Sequence, residues 1–223
     1  MEALEHRLVV PRTARYLTLG AFDDGDGDGD PEDVWFLCHG YGQLASEFLD
    51  SARALEHPGR VLVAPEALSR FYHEDHKRIG ASWMTREDRE REMEDYIRYL
   101  DLVHEQLFEL IDRASVHLVV LGFSQGAATA ARWAVRGCVD VDHLVLWGAA
   151  TPPELDDETA LAPLRAMRVT LVGGSRDALF PEAAREEQRS RLRRNGVTFS
   201  ELGFEGGHRL DDETLLRLTE RER

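Results

Sequence analysis

The 223-residue sequence predicts an α/β protein built on a doubly wound, mostly parallel sheet with an antiparallel N-terminal edge. Three observations carry that expectation. Apolar runs of strand length, such as Val34-Trp35-Phe36-Leu37-Cys38, have the pattern of strands covered on both faces. Helical segments separate these runs along most of the chain, which specifies β-α-β units. The length suits one domain over 1–223, and a hydrophobic content of 43% is far too high for a disordered chain.

Leu8-Val9-Val10 and Arg15–Leu19 read as short strands forming the antiparallel edge. An acidic glycine run follows at 23–30 and reads as a solvated hairpin loop. Asp24, Asp26, Asp28 and Gly29 also match part of a calcium-binding loop, but Trp35 stands where that loop needs a bidentate Glu. After the 34–38 strand come a helix from Ser46 to Leu55, a buried-type strand at Val61–Ala64, and an irregular loop over 65–84 whose length marks it as functional. Thr85-Arg86-Glu87-Asp88 resembles a capped helix start. Behind it Met93, Tyr96, Ile97, Leu100, Val103, Leu107, Leu110 and Ile111 recur at helical spacing, with a charged outer face. The alternation continues with a strand at 116–121, an Ala-rich helix from Ser124 to Val135, strands at 143–147 and 169–172, a helix over 182–194 closed by Asn195-Gly196, a strand at 197–202, and a last helix capped by Asp211-Asp212.

With 42 acidic against 27 basic side chains the chain carries a net charge of −15, which works against binding nucleic acid or an anionic membrane surface. Lys77 is the single lysine. The N-terminus lacks the order of a secretory signal, and no apolar stretch approaches the roughly 18 to 20 residues that span a bilayer, so a cytoplasmic protein without stable membrane association is expected. Cys38 and Cys138 make neither a disulfide framework nor a metal-ligand spacing, and are expected to be small buried thiols.

Gly122-Phe123-Ser124-Gln125-Gly126 lies between an apolar strand and a helix. In that context the serine sits on a sharp strand-to-helix turn, its hydroxyl lifted above the sheet, and the glycines admit the close approach of neighbouring backbone. The alternative is an ordinary helix N-cap at Ser124. A nucleophilic serine needs a histidine base and an orienting carboxylate, which follow it in the chain in the order acid, then histidine. Of nine histidines, His208 in Phe204-Glu205-Gly206-Gly207-His208 alone follows Ser124 in a loop after a strand. Asp177, just past the strand 169–172, lies at the sheet end where catalytic groups gather, ahead of its rivals Asp142, Asp156 and Asp157. Backbone donors for an oxyanion are expected from Gln125 and from Tyr41 in His39-Gly40-Tyr41-Gly42-Gln43, with His39 bracing that loop.

The segments LCHGYGQ, VAPEALSRFY, LGFSQGAATA, GGSRDALFP and FEGGH resemble the phospholipase/carboxylesterase family of α/β-hydrolases, from about residue 33 to the C-terminus. The resemblance implies the α/β-hydrolase fold and hydrolysis of carboxylic esters or thioesters through an acyl-serine, with no metal or organic cofactor. On the family pattern Ser124, Asp177 and His208 match the triad, and Tyr41 and Gln125 the oxyanion positions. Residues 79–84 match the family's Trp-containing loop only loosely, and the acidic run at 23–30 has no expected counterpart. Phe71, Tyr72, Trp83 and Met84 are candidates for the wall of an acyl pocket, or else core aromatics anchoring the long loop. The acidic charge favours small soluble esters over bilayer phospholipids. A thioesterase, a lysophospholipase and a non-catalytic binding relative are the alternatives.

Overall fold

The structure, a computed structural model, describes residues 3–20, 31–74 and 76–220. Among the described residues seven strands form one sheet: β1 (Tyr16–Leu19), β2 (Asp33–Cys38), β3 (Arg60–Pro65), β6 (His117–Phe123), β7 (His143–Trp147), β8 (Arg168–Gly174) and β9 (Ser200–Phe204). Their order is β1-β3-β2-β6-β7-β8-β9. All pairs are parallel except β1 with β3. A separate antiparallel hairpin, β4 (Ser69–Tyr72) with β5 (Ile79–Ser82), stands outside this sheet. The helices are α1 (Ala45–Ser51), α2 (Arg89–Phe108), α3 (Gln125–Arg136), α4 (Glu158–Ala166), α5 (Glu182–Arg194) and α6 (Asp212–Thr219).

The apolar strands feed two cores. In β2, Val34, Phe36 and Cys38 join one cluster with Tyr96 and Leu100 of α2, Trp133 of α3, Leu161 of α4 and Leu192 of α5. Trp35 and Leu37 point the other way, among Phe48 of α1 and Leu215 and Leu218 of α6. This period-2 division of a continuously apolar run is what burial on both faces requires. Among the described residues, no helix is long and apolar enough to cross a membrane.

Several local expectations are corrected. Leu8, Val9 and Val10 form no strand and are 64–86% exposed. The antiparallel edge is instead β1 on β3, because Leu17 and Leu19 have apolar neighbours to pack against and the 8–10 segment does not. Residues 65–84 are not irregular throughout, since they contain the β4–β5 hairpin. α2 starts at Arg89, not at Thr85: Asp88 has a left-handed φ of 45°, while the Glu92 carboxylate accepts from the Thr85 amide and hydroxyl. The sequence reading placed no helix between β7 and β8, where α4 stands, capped by Asp157, which accepts from the Ala160 amide. The last strand begins at Ser200, three residues late, since Val197 is used to end α5: its N–H donates to Leu192 C=O and that of Gly196 to Arg193 C=O, with Gly196 at φ 69°. Cys38 is buried as expected, and burial pushes its thiol up to about 12. Cys138 is exposed, just beyond the end of α3. The acidic run at 23–30 lies outside the described residues.

Candidate active site

The strand order fixes where a site belongs. From β2 the chain moves to β3 on one side and returns to β6 on the other, so the loops leaving the C-terminal ends of β2 and β6 diverge around a crevice. Open α/β sheets bind ligands at such a switch point. The loop after β2 is residues 39–43 and the turn after β6 is Ser124, with Cys38 directly opposite Gly122 in the parallel register.

Ser124 has φ 55° and ψ −119°, a conformation that non-glycine residues rarely hold. Its N–H donates to Trp147 C=O at 2.9 Å, and α3 begins at the next residue. The flanking glycines are needed for space. A Cβ on Gly126 would lie 2.0 Å from the Cys38 carbonyl oxygen, and one on Gly122 would lie 2.2 Å from that of Gly126. The sharp turn therefore brings the N-terminus of a 12-residue helix onto the end of β2, where its partial positive charge favours an anion.

Asp177 and His208 come from the loops after β8 and β9, which are tied by Ser175 N–H to Phe204 C=O and Arg176 N–H to Gly206 C=O. His208 Nδ1 donates to Asp177 Oδ2 at 2.7 Å. The other carboxylate oxygen accepts from the amides of Leu179 and Phe180, both at 2.9 Å, so a carboxylate only 5% exposed has partners on both oxygens. The imidazole lies against Phe123, which precedes Ser124, with centroids 4.7 Å apart, and against the end of β7, where a Cβ on Gly148 would be 3.0 Å from its Cε1. Its Nε2 is buried without a hydrogen-bond partner among the described residues. Hydrogen bonds between nucleophile and base are commonly long before substrate binds. Among the rivals, Asp142 accepts from Leu118 N–H and Arg113 at the opposite end of the sheet, Asp156 bonds Asn195, and Asp157 is the cap of α4.

In the loop 39–43 the amide of Gly40 bonds the Gln43 side chain, that of Gly42 donates to Ala81 C=O, and that of Gln43 donates to Gly40 C=O. The amides of Tyr41 and Gln125 have no such partner among the described residues. His39 is fully buried and braces the loop: Nδ1 donates to Gly40 C=O at 2.8 Å and Nε2 accepts from Ala67 N–H at 3.0 Å. Burial pushes its pKa down, against the opposing pull of the Gly40 carbonyl and the Glu66 charge, and keeps the ring neutral.

The proposed pocket residues separate. Phe71 stacks on Tyr41, with centroids 5.1 Å apart, and lies beside the loop 39–43. Met84 is half-buried, its carbonyl accepting from Gln125. Tyr72 is 64% exposed and alternates to the face of β4 opposite Phe71. Trp83 is only 2% exposed and packs on His39 and Tyr96, with Nε1 donating to His39 C=O at 2.8 Å; it is a core aromatic that supports the loop from behind. Two features of the site escaped the sequence reading. Gly148, at φ 68°, makes room for the His208–Asp177 pair, and its only signal was a glycine directly after a strand. The Gln125 side chain bonds Trp83 and Met84, and no sequence pattern distinguished that from a solvent-facing amide.

The fold, with its strained strand-to-helix turn, is that of the α/β-hydrolases. It resembles the structures of Zea mays acyl-protein thioesterase 2 (20% identity over 93% of this chain and 98% of that one, TM-score 0.66), esterase PE8 (21%, 93% and 97%, 0.67) and a carboxylesterase from Mesorhizobium loti (18%, 85% and 88%, 0.65). No protein-family model matches the sequence, and no curated protein does. At these identities the likeness concerns the fold.

Proposed function

We propose that the chain is a serine hydrolase that cleaves carboxylic esters of small soluble substrates through an acyl-serine intermediate. The observation that carries this reading is the Asp177–His208 pair, joined at 2.7 Å and delivered by the loops of β8 and β9 to the end of the sheet where Ser124 is held at φ 55°. His208 Nδ1–H is committed to Asp177, which leaves Nε2 as the basic nitrogen. Nε2 takes the Ser124 proton as Oγ attacks the ester carbonyl, and Asp177 stabilises the resulting imidazolium. The carbonyl oxygen becomes an oxyanion before the Tyr41 and Gln125 amides, above the N-terminus of α3. The imidazolium then protonates the departing alkoxide, and the same nitrogen activates water to release the acid.

Phe71 and Met84 are our candidates for direct contact with the acyl group, with Trp83 holding their segment in place. The charge of −15 disfavours anionic bilayers and nucleic acid as partners, and none of the proposed steps calls for a metal or organic cofactor. Thioester cleavage uses the same groups, and the likeness to an acyl-protein thioesterase gives that second reading its support.

The test is a panel of p-nitrophenyl esters from acetate to decanoate, with matched thioesters. Turnover by the wild type that is lost in Ser124→Ala is expected, with oxygen esters preferred. Thioesters preferred throughout would favour the second reading, and turnover unchanged in Ser124→Ala would end both.

A further inference from the structure

The chemistry above uses the backbone N–H of Gln125 and leaves its side-chain amide without a task, yet that amide is fully engaged. Oε1 accepts from Trp83 N–H at 3.1 Å, and Nε2 donates to Met84 C=O at 2.8 Å. Ser82 Oγ lies 3.4 and 3.3 Å from the two amide atoms and itself donates to Met84 C=O at 2.9 Å. The primary amide therefore satisfies the N–H of one residue and the C=O of the next in the bend that follows β5.

The segment it grips runs straight out of β5, and β5 holds the loop 39–43. Gly42 N–H donates to Ala81 C=O at 2.9 Å, and Ala81 N–H to Gln43 C=O at 3.2 Å. The fit is tight enough that a Cβ on Gly80 would lie 2.4 Å from the Gly42 carbonyl oxygen. The base of the loop is fixed differently, by Gly126 packed on the Cys38 and His39 carbonyls. Its tip, which carries Tyr41, rests on the β4–β5 hairpin, through the two bonds to Ala81, the stacking of Phe71 on Tyr41 and the bond of His73 Nε2 to Gly42 C=O. The stretch 81–84 therefore spans from one amide assigned to the oxyanion to the other, and the Gln125 side chain closes the span.

We infer that the Gln125 side chain is a positioning residue, which anchors the stretch 81–84 to the nucleophile turn and thereby sets the Tyr41 amide relative to the Gln125 amide. The inference rests on the assignment of these two amides as oxyanion donors. Such donors act only when aimed beforehand at the position the oxyanion will occupy. Loosening the span therefore weakens binding of the tetrahedral state more than binding of the planar ester.

Gln125→Met keeps the length of the side chain and removes both hydrogen bonds. Its kcat is expected to fall by about 10- to 100-fold, less than or equal to the loss of a whole donor, with KM within about threefold. An alkyl boronic acid supplies the second readout. It adds to Ser124 Oγ with formation of a B–O bond, the serine proton passes to His208, and the tetrahedral boronate carries the negative charge. Its inhibition constant is expected to rise in parallel with the fall in kcat. Ser82→Ala, a smaller change in the same span, is expected to shift both quantities in the same direction by a few-fold, and it covers the case in which Gln125→Met does not fold. Wild-type kcat and boronate affinity in the variants would overturn the inference, as would a rise in KM alone. A wild-type protein that neither turns over esters nor binds the boronate would overturn the serine-hydrolase reading itself, and this inference with it.

Discussion

A serine held at φ 55° costs about 1–3 kcal/mol relative to a relaxed backbone, and the turn around Ser124 must hold it there. Glycine tolerates that conformation and alanine does not, so Ser124→Gly is expected to be more stable than Ser124→Ala by about 1 kcal/mol in urea denaturation, with both expected to lack activity. The opposite order would mean that the turn carries no strain. Gly126→Ala places a methyl against the Cys38 carbonyl oxygen and is expected to cost about 3 kcal/mol or more, or to prevent folding. Asp177→Asn keeps the shape of the His208 partner but removes its charge and its hold on the tautomer, and a kcat loss of about 10⁴ is expected, as in comparable triads. Retained activity would move the acid role to another carboxylate. At the other end of the sheet, burial, with the nearby Arg168 and His117 charges adding to it, pushes the His143 imidazole from its ordinary 6.5 down to about 3, while Nε2 is bonded to Thr170 Oγ1. Between pH 6.5 and about 3 the unfolded chain binds a proton there that the native state does not, so stability falls as pH falls, by up to about 1.4 kcal/mol per pH unit from this group. His143→Gln is expected to flatten that slope in urea titrations across the window, and an unchanged slope would contradict the assignment.

At the scale of elements, what was legible in the sequence follows from burial. β2, β3, β6, β7 and β8 were recognised because residues on both of their faces enter the cores and leave continuous apolar runs. α5 was placed with its true ends because Asn195-Gly196 closes it, but the same closure consumed Val197, which the apolar pattern had assigned to β9. α4 was hidden by its nine residues, its acidic start and the internal Pro163. The β4–β5 hairpin was hidden because it is two short strands stabilised by the loop 39–43 instead of by the main sheet, a contact between distant segments that no local pattern records. The same division holds for the site. The placement of Ser124, Asp177 and His208 on loops at one end of the sheet was legible because strand-end position and chain order are sequence properties, whereas Gly148 and the Gln125 side chain make their contacts only in the folded chain. Leu8-Val9-Val10 was misread for the converse reason: β-branched residues favour a strand only where a partner exists to receive them.

For the whole molecule, charge outweighs the surface ion pairs. Pairs such as Arg7–Asp88 and Arg53–Asp50 are exposed, and each such pair contributes about 0–1 kcal/mol. The excess of 15 negative charges repels itself over longer distances. Raising salt from about 0.01 M to about 0.1 M shortens the screening length from about 30 Å to about 10 Å, which relieves the repulsion more than it weakens contacts within a few ångström. The melting temperature is therefore expected to rise over that range, and a fall would show that the ion pairs dominate. The two cores, one on each side of the sheet, are what hold the loops of β2, β6, β8 and β9 at one end, and the proposed chemistry depends on that convergence. The most direct test is to treat the protein with a fluorophosphonate and locate the adduct by peptide mass mapping. A nucleophilic Ser124 served by His208 gives a single adduct on the peptide containing Ser124, absent in Ser124→Ala and formed far more slowly in His208→Ala; no adduct, or one on another residue, would contradict it.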